Sequence, residues 1–315
     1  MSGPSHLRLY SLIGAMVPFF SLNYIVARFA LREFPPMQLT AVRTVIAAVI
    51  LVAIWLGRRL AMQQGRNPMA GGAESPAQAE SPPHFAARLS RNDLFSLALL
   101  GIFGVTLNQL LFALGLQRTS VAHASLLSAL APIMVLLIAA LIGQERITVG
   151  KLAGMLVAVA GVAVLQMDPG KRTIATLAGD VIILLSALAI ALYSVIGKRV
   201  MARHDIVTVN AVSYLAGLIT LLPLLLPPPG FSYAAVSVAG WVSVLYMAVF
   251  PSVLGYLIYC YALTKMAASR VSAFSYLQPL LATILAVPML GEPVTGSLAG
   301  GGALVLLGVY VTERG

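Results

Sequence analysis

The segment Phe103–Leu165 recurs as Phe250–Thr312 when the chain is shifted by 147 positions without a gap. Phe103 falls on Phe250, Leu116 on Leu263, Ser125 on Ser272, Ser128 on Ser275, Pro132 on Pro279, Glu145 on Glu292 and Gly161 on Gly308. A duplication constrains architecture more than any local pattern, because both copies must fold the same way. The repeated unit is three long apolar stretches, and a membrane-spanning helix takes about 20 mostly apolar residues. Ten such stretches can be marked, at 9–29, 36–57, 94–115, 120–142, 149–167, 179–199, 207–226, 237–261, 269–290 and 294–312. With 59% hydrophobic and 10% charged residues and a mean hydropathy of +0.93, no long soluble domain remains. The first stretch is too long for a cleaved leader and no small-residue cleavage site follows it. It is expected to stay as an anchor.

The net charge of +10 is a topology signal rather than a nucleic-acid footprint. With the N terminus inside, fourteen Lys and Arg side chains fall in inside connections and five outside, with Arg43 within a span. By the positive-inside rule both termini are expected in the cytoplasm. The expected location is a bacterial-type inner (plasma) membrane, crossed many times. Cys260 is the single cysteine, which rules out an internal disulfide and a cysteine-rich metal site.

The sixth stretch matches the first at an offset of 170, with Asn23 on Tyr193 and Arg28 on Lys198. The later stretches match at 147, so 23 extra residues lie in the first half between its second and third stretches. The Gly-, Pro-, Ser- and Gln-rich segment 58–91 is there, and it reads as a flexible cytoplasmic loop. The expected units are 1–57 with 92–167, the loop 58–91, and 168–315. Asp168–Arg172 is the outside linker between the halves. Each half holds five spans, an odd number, so the second half enters the membrane upside down relative to the first. Inverted repeats are typical of secondary transporters, with the site between the halves. The fold class expected is an all-α integral membrane protein of ten helices in two inverted five-helix repeats.

Thr119–Leu165, Gly179–Arg199 (GDVIILLSALAIALYSVIGKR) and Ala273–Pro293 (AFSYLQPLLATILAVPMLGEP) resemble the EamA family of the drug/metabolite transporter superfamily. The resemblance covers nearly the whole chain apart from loop 58–91. It implies an inner-membrane carrier, usually an exporter of amino acids, related metabolites or drugs, and it leaves the substrate open.

All ten acidic residues fall in loops or at span edges, so no intramembrane carboxylate is available as a proton carrier. His123 and the edge residue Asp180 are the remaining candidates. Arg43 is the deepest formal charge, about 10 Å into its span at 1.5 Å per residue. It reads either as a clamp for a substrate carboxylate or as a cation that snorkels or bonds backbone carbonyls. Asn23, Asn108, Gln109, Tyr193 and Tyr256 are neutral polar groups that must find partners inside a bundle. They line a substrate cavity or serve as interhelical bonds, worth about 0.6 kcal/mol each. Gln278 joins them because its counterpart, Ala131, is apolar. Ser125, Ser128 and Pro132 share one helix face, and Ser272, Ser275 and Pro279 repeat it. These read as paired gate helices bent at proline. Pro18 is a second expected kink. Gly154 with Gly161, and Gly301 with Gly308, are expected to bring the fifth and tenth spans close, with Gly300 and Gly302 alongside.

No H-E-x-x-H, P-loop or paired intramembrane aspartate is present, so no metal or cofactor is expected. The partners implied are a small-molecule substrate and the lipid bilayer, without nucleic acid. A homodimer is compatible with the sequence and has no residue-level support. The function that follows is export of amino acids or related small metabolites by alternating access. The alternative is a multidrug or other-metabolite exporter of the same fold. A membrane enzyme or scaffold would need a catalytic constellation, and none is found.

Overall fold

The structure is a computed structural model that describes residues 4–64, 90–165, 176–281, 284 and 296–315. The described chain is helical throughout, without strands. The helices are α1 Pro4–Ala30, α2 Pro36–Gln64, α3 Arg91–Leu100, α4 Asn108–Arg118, α5 Val121–Ser128, α6 Ala131–Leu141 and α7 Val149–Leu165. They are followed by α8 Leu177–Met201, α9 Ile206–Leu221, α10 Val238–Met247, α11 Tyr256–Lys265, α12 Ala268–Ala273, α13 (277–281) and α14 Gly296–Arg314. Among the described residues seven helical spans are long and apolar enough to cross a membrane, and Val149–Leu165 is a shorter apolar helix. The expected stretch 269–290 falls partly outside the described residues, as do the linker 168–172, Glu292 and most of loop 58–91.

Short polar residues set where the spans begin. Ser90 and Asp93 form a capping box at α3, with Ser90 Oγ accepting from Asp93 N at 3.1 Å. Thr148, Thr176, Asp205 and Ser237 accept in the same way from backbone N–H groups at the starts of α7, α8, α9 and α10. Each satisfies a donor that a helix start leaves unpaired.

Two local expectations change, the end of the second stretch and the role of Gly300. Helix α2 does not stop at residue 57 but runs through 58–64, the first part of the expected loop. Arg58, Arg59, Leu60 and Ala61 are good helix formers, and Arg59 stacks 4.0 Å over the Trp55 ring. Helix α1 continues unbroken through Pro18. Gly300 has open space around it and takes no part in close packing.

The third and eighth expected spans share a feature that composition does not announce. Gly101–Leu107 and Ala248–Gly255 are π-helical, each inserted between two α-helical pieces. The two segments begin 147 positions apart. Helix α1 packs on α10, the π-segment after it and α11, and α8 packs on their counterparts α3, the π-segment after it and α4. Since α1 and α8 are counterparts in sequence, one contact is made twice. Counterpart helices also pair directly, α2 with α9 and α7 with α14. In the second pair the glycines touch. A Cβ on Gly161 would lie 2.6 Å from Val305 N and 2.8 Å from Gly301 O.

The cation at the end of each counterpart helix repeats its role. Arg28 Nη1 donates to Leu116 O at 2.5 Å and Thr119 O at 3.5 Å. Lys198 Nζ donates to Leu263 O and Met266 O, both at 2.6 Å. Both bind the carbonyls a helix C-terminus leaves open. Helix α8 begins with Asp180 beside Thr119, at 2.6 Å, and ends at Lys198. At 1.5 Å per residue the two capping sites lie about 27 Å apart, at opposite ends of the bundle.

The Arg28 end carries an aromatic cover that the sequence reading did not anticipate. Phe34 meets Phe231, Tyr233 and Trp241 at centroid distances of 5.8, 6.5 and 5.4 Å. Glu33 ties the α1–α2 turn to the start of α10 by accepting from Ser237 N and Oγ, both at 2.7 Å.

Candidate functional site

Where the gate helices were expected to bend, both are broken. Helix α5 ends at Ser128 and α6 starts at Ala131, with Pro132 in its first turn. Helix α12 ends at Ala273 and passes through a 3-10 turn, Phe274–Tyr276, before α13 and Pro279. Between these broken helices and α1, α2, α4, α8 and α11 lies a cavity of about 150 Å³.

The cavity gathers most of the sequence candidates. Asn23, Arg43, Asn108, Gln109, Tyr256 and Gln278 line it, as do Ser128, Ser272 and Ser275. Tyr193, Ser125, Pro132, Pro279, His123 and Asp180 do not. The Tyr193 ring packs against the Gly104 backbone, where a Cβ would lie 2.7 Å from its Cε2. Its hydroxyl meets Cys260 Sγ at 3.1 Å.

Arg43 is 5% exposed and therefore does not snorkel. Its Nε donates to Ser252 Oγ at 2.7 Å, and Ser252 Oγ donates to Met247 O at 2.9 Å, which accepts at the junction of α10 and the π-segment. Its two Nη groups have no acceptor, and no carboxylate pairs with it, among the described residues. Among the described residues it is also the single formally charged side chain in the cavity wall. A buried cation without a counter-ion is costly, by several kcal/mol in real proteins.

The amides divide into two kinds. Asn108 is tied between helices: its Nδ2 donates to Ser186 O and Oγ at 3.1 Å, and Ser186 Oγ donates back to Asn108 O at 2.9 Å. Gln109, the next residue, donates to Tyr214 Oη at 3.1 Å and leaves Oε1 without a partner. Asn23 Oδ1 and Ser275 Oγ are likewise buried and unpartnered. Tyr256 Oη donates to Gly104 O at 2.6 Å.

Ser252 and Tyr214 escaped the sequence reading. Tyr214 was findable, because the offset of 170 puts it next to the counterpart of Arg43, Ser213. Ser252 falls on Val105 and carries no such signal.

At each end of the bundle a carboxylate ties the start of a broken helix to its neighbours. At the Arg28 end, Asp180 accepts from Thr119 Oγ1 at 2.6 Å and faces His123 Nδ1 at 3.3 Å. The two proposed titrating residues thus form one pair. At the Lys198 end, Glu145 accepts from Ser269 N at 3.0 Å and pairs with Lys151 Nζ at 3.2 Å. Ser269 Oγ is also its donor. Among the described residues no group of His, Cys, Asp and Glu could hold a metal ion.

A bundle of apolar spans around a mainly apolar cavity, with a few polar side chains and, among the described residues, no reaction centre in its wall, is the build of a multi-pass membrane transporter. The chain belongs to the EamA-like transporter family, whose profile matches it twice, over residues 8–167 and 177–314. It is 28% identical over 309 residues to an "uncharacterized transporter" of Archaeoglobus fulgidus, covering 98% of this chain and 99% of that one. It is 33% identical over 222 residues to a "probable terminal-alkyne amino-acid exporter" of Streptantibioticus cattleyicolor, covering 70% and 74%. A solved crystal structure shares the fold at a TM-score of 0.72 and 22% identity, covering 98% of this chain and 96% of that one. These curated relatives are named as transporters, and the family is one of transporters, not enzymes.

Proposed function

We propose that this transporter exports amino acids or related small metabolites across a bacterial-type inner membrane by alternating access. The observation that carries the reading is Arg43: a buried cation in the cavity wall whose two Nη groups have no acceptor and no counter-ion among the described residues. A substrate carboxylate supplies the missing charge and matches the guanidinium fork. The cavity, about 150 Å³, falls below the range of about 300–1,000 Å³ typical of drug-sized sites. That favours a small metabolite over a drug. The name of the Streptantibioticus relative supports the amino-acid class.

In this reading the chain crosses the membrane ten times, as two inverted five-helix repeats with both termini cytoplasmic. The doubled contacts and the Arg28 and Lys198 caps at opposite ends support that arrangement. The fourteen-to-five excess of Lys and Arg supports the orientation. The broken helices α5–α6 and α12–α13 act as gates. Asp180 with Thr119 and His123 closes the Arg28 side, and Glu145 with Ser269 closes the Lys198 side. If protons drive transport, the His123–Asp180 pair carries them, since histidine is the side chain whose ordinary titration falls near neutral pH.

The test is flux of labelled amino acids in proteoliposomes, with and without an imposed pH gradient. Saturable flux with trans-stimulation supports a carrier. Flux that ignores the gradient makes it a uniporter, whereas gradient-driven flux lost in His123→Ala and Asp180→Asn makes that pair the coupling site. No flux of any amino acid through folded protein overturns the amino-acid reading.

A further inference from the structure

The cavity is asymmetric, and the asymmetry lies at two positions. Under the sequence offsets Asn23 falls on Tyr193 and Gln109 on Tyr256. In the second half these two tyrosines fill their space. Their rings meet edge to face at 5.4 Å, and their hydroxyls are engaged by Cys260 Sγ and Gly104 O. In the first half the same positions hold two shorter amides. Asn23 and Gln109 are 8% and 3% exposed, both line the cavity, and both keep a side-chain oxygen with no partner. Native proteins keep few buried polar atoms unsatisfied, and each calls for an explanation. The shorter amides keep two unpartnered acceptors at the positions where the tyrosine hydroxyls are both engaged.

These acceptors belong to the same site as Arg43. Gln109 donates to the Tyr214 hydroxyl at 3.1 Å, and Gln109, Asn23 and Arg43 line the same cavity. Asn23 stands between Phe20, whose ring meets Tyr256 at 6.4 Å, and Tyr24, whose ring meets Phe112 at 5.2 Å. A lone cation would be repelled by Arg43. An ammonium joined through one carbon to a carboxylate would not, since the carboxylate neutralises Arg43 while the ammonium donates to neutral oxygens. Among the described residues no other charged side chain lines the wall, so the remainder of the ligand meets no charge there.

We propose that Asn23 and Gln109 form an ammonium subsite beside the Arg43 carboxylate subsite, so that this protein selects α-amino acids with uncharged side chains over their amine-free counterparts. The inference rests on the carrier reading above and assigns the specificity of that same cavity. Neither amide is needed for the carboxylate contact, so the two subsites are separable.

The experiment measures competition against exchange of labelled L-valine, L-methionine and L-phenylalanine in proteoliposomes. The competitors are each unlabelled amino acid and its 2-hydroxy analogue, which keeps the carboxylate and loses the ammonium. The native protein is expected to prefer the amino acid by about tenfold or more, the scale of one charge-assisted hydrogen bond. Asn23→Leu and Gln109→Leu should bring the two classes towards equal inhibition, with a larger loss for the amino acid than for the 2-hydroxy acid, and Gln109→Glu should retain the preference. Equal competition by both classes in the native protein overturns the ammonium subsite while leaving the carrier reading intact. So does an equal loss for both classes in the leucine variants, which is the signature of a structural role or a bound water. Should a variant not fold, as judged by gel filtration and thermal unfolding, native selectivity and Gln109→Glu alone decide. Absence of exchange, and of thermal stabilisation, with every amino acid overturns both readings together.

Discussion

Arg28 and Lys198, 170 positions apart, each donate to two carbonyls that are counterparts of one another: Leu116 and Thr119 for Arg28, Leu263 and Met266 for Lys198. Each ties the end of one span to the end of its neighbour. Replacing either with Gln shortens or weakens charge-assisted bonds and leaves helix-end carbonyls open. Each change is expected to lower stability by about 1–3 kcal/mol, read as a lower unfolding temperature in detergent. Because the two sites are about 27 Å apart, the double variant should show additive losses.

Arg43 separates charge from fork geometry. Arg43→Gln should reduce flux of carboxylate-bearing substrates by about a hundredfold, since it removes a charged, two-point contact. Arg43→Lys keeps the charge but loses both the fork and the Nε bond to Ser252, and it should recover only part of the flux. Initial-rate measurements on both variants, at matched protein in the membrane, check this.

Close approach of α7 and α14 rests on absent side chains. Gly161→Val places carbon where Val305 N and Gly301 O already stand. Overpacking of this kind typically costs about 1–3 kcal/mol. Gly300→Ala meets nothing within 4 Å and should be neutral or stabilising by up to about 1 kcal/mol, from helix propensity alone. Thermal unfolding of the pair distinguishes contact from composition.

The Glu33–Ser237 clasp should make the Arg28 end acid-sensitive. The Ser237 hydroxyl and backbone N–H hold the Glu33 carboxyl below its ordinary value of 4.5. A carboxylate whose folded pKa is lowered contributes stability above its unfolded pKa. That contribution is lost as pH falls through the folded value. Stability of the native protein should therefore fall on acidification below about pH 4.5, and Glu33→Gln should flatten that limb. Limited proteolysis of the connection between α9 and α10 across pH reads it locally.

Asp180 should behave as a latch. Asp180→Ala removes the acceptor for Thr119 Oγ1 and the partner of His123 Nδ1. In intact cells, a cysteine at Ser128, in the cavity wall, should then react faster with an impermeant thiol reagent added outside. Cys260 is 0% exposed and serves as the internal blank.

Much of this protein was legible because its signals are local or repeated. The gate prolines mark breaks within their own helices, and Gly161 and Gly308 announce a close contact by spacing. Less legible were the π-segments, because both ends of Gly101–Leu107 and Ala248–Gly255 look like ordinary apolar helix. The aromatic cover of Phe34, Phe231, Tyr233 and Trp241 joins residues whose proximity no periodicity encodes.

The sequence by itself determined the membrane class, the duplication and the set of polar residues from which a site had to be built. Only the tertiary structure decided which of them are free to bind. Asn108 and Gln109 are neighbours in the chain and equivalent by composition. Yet Ser186, from a helix 78 positions on, satisfies the first, while the second lines the same cavity and keeps a buried oxygen without a partner. Hydrogen-bond satisfaction is set by groups on other helices, and their distances exist only once the bundle has packed.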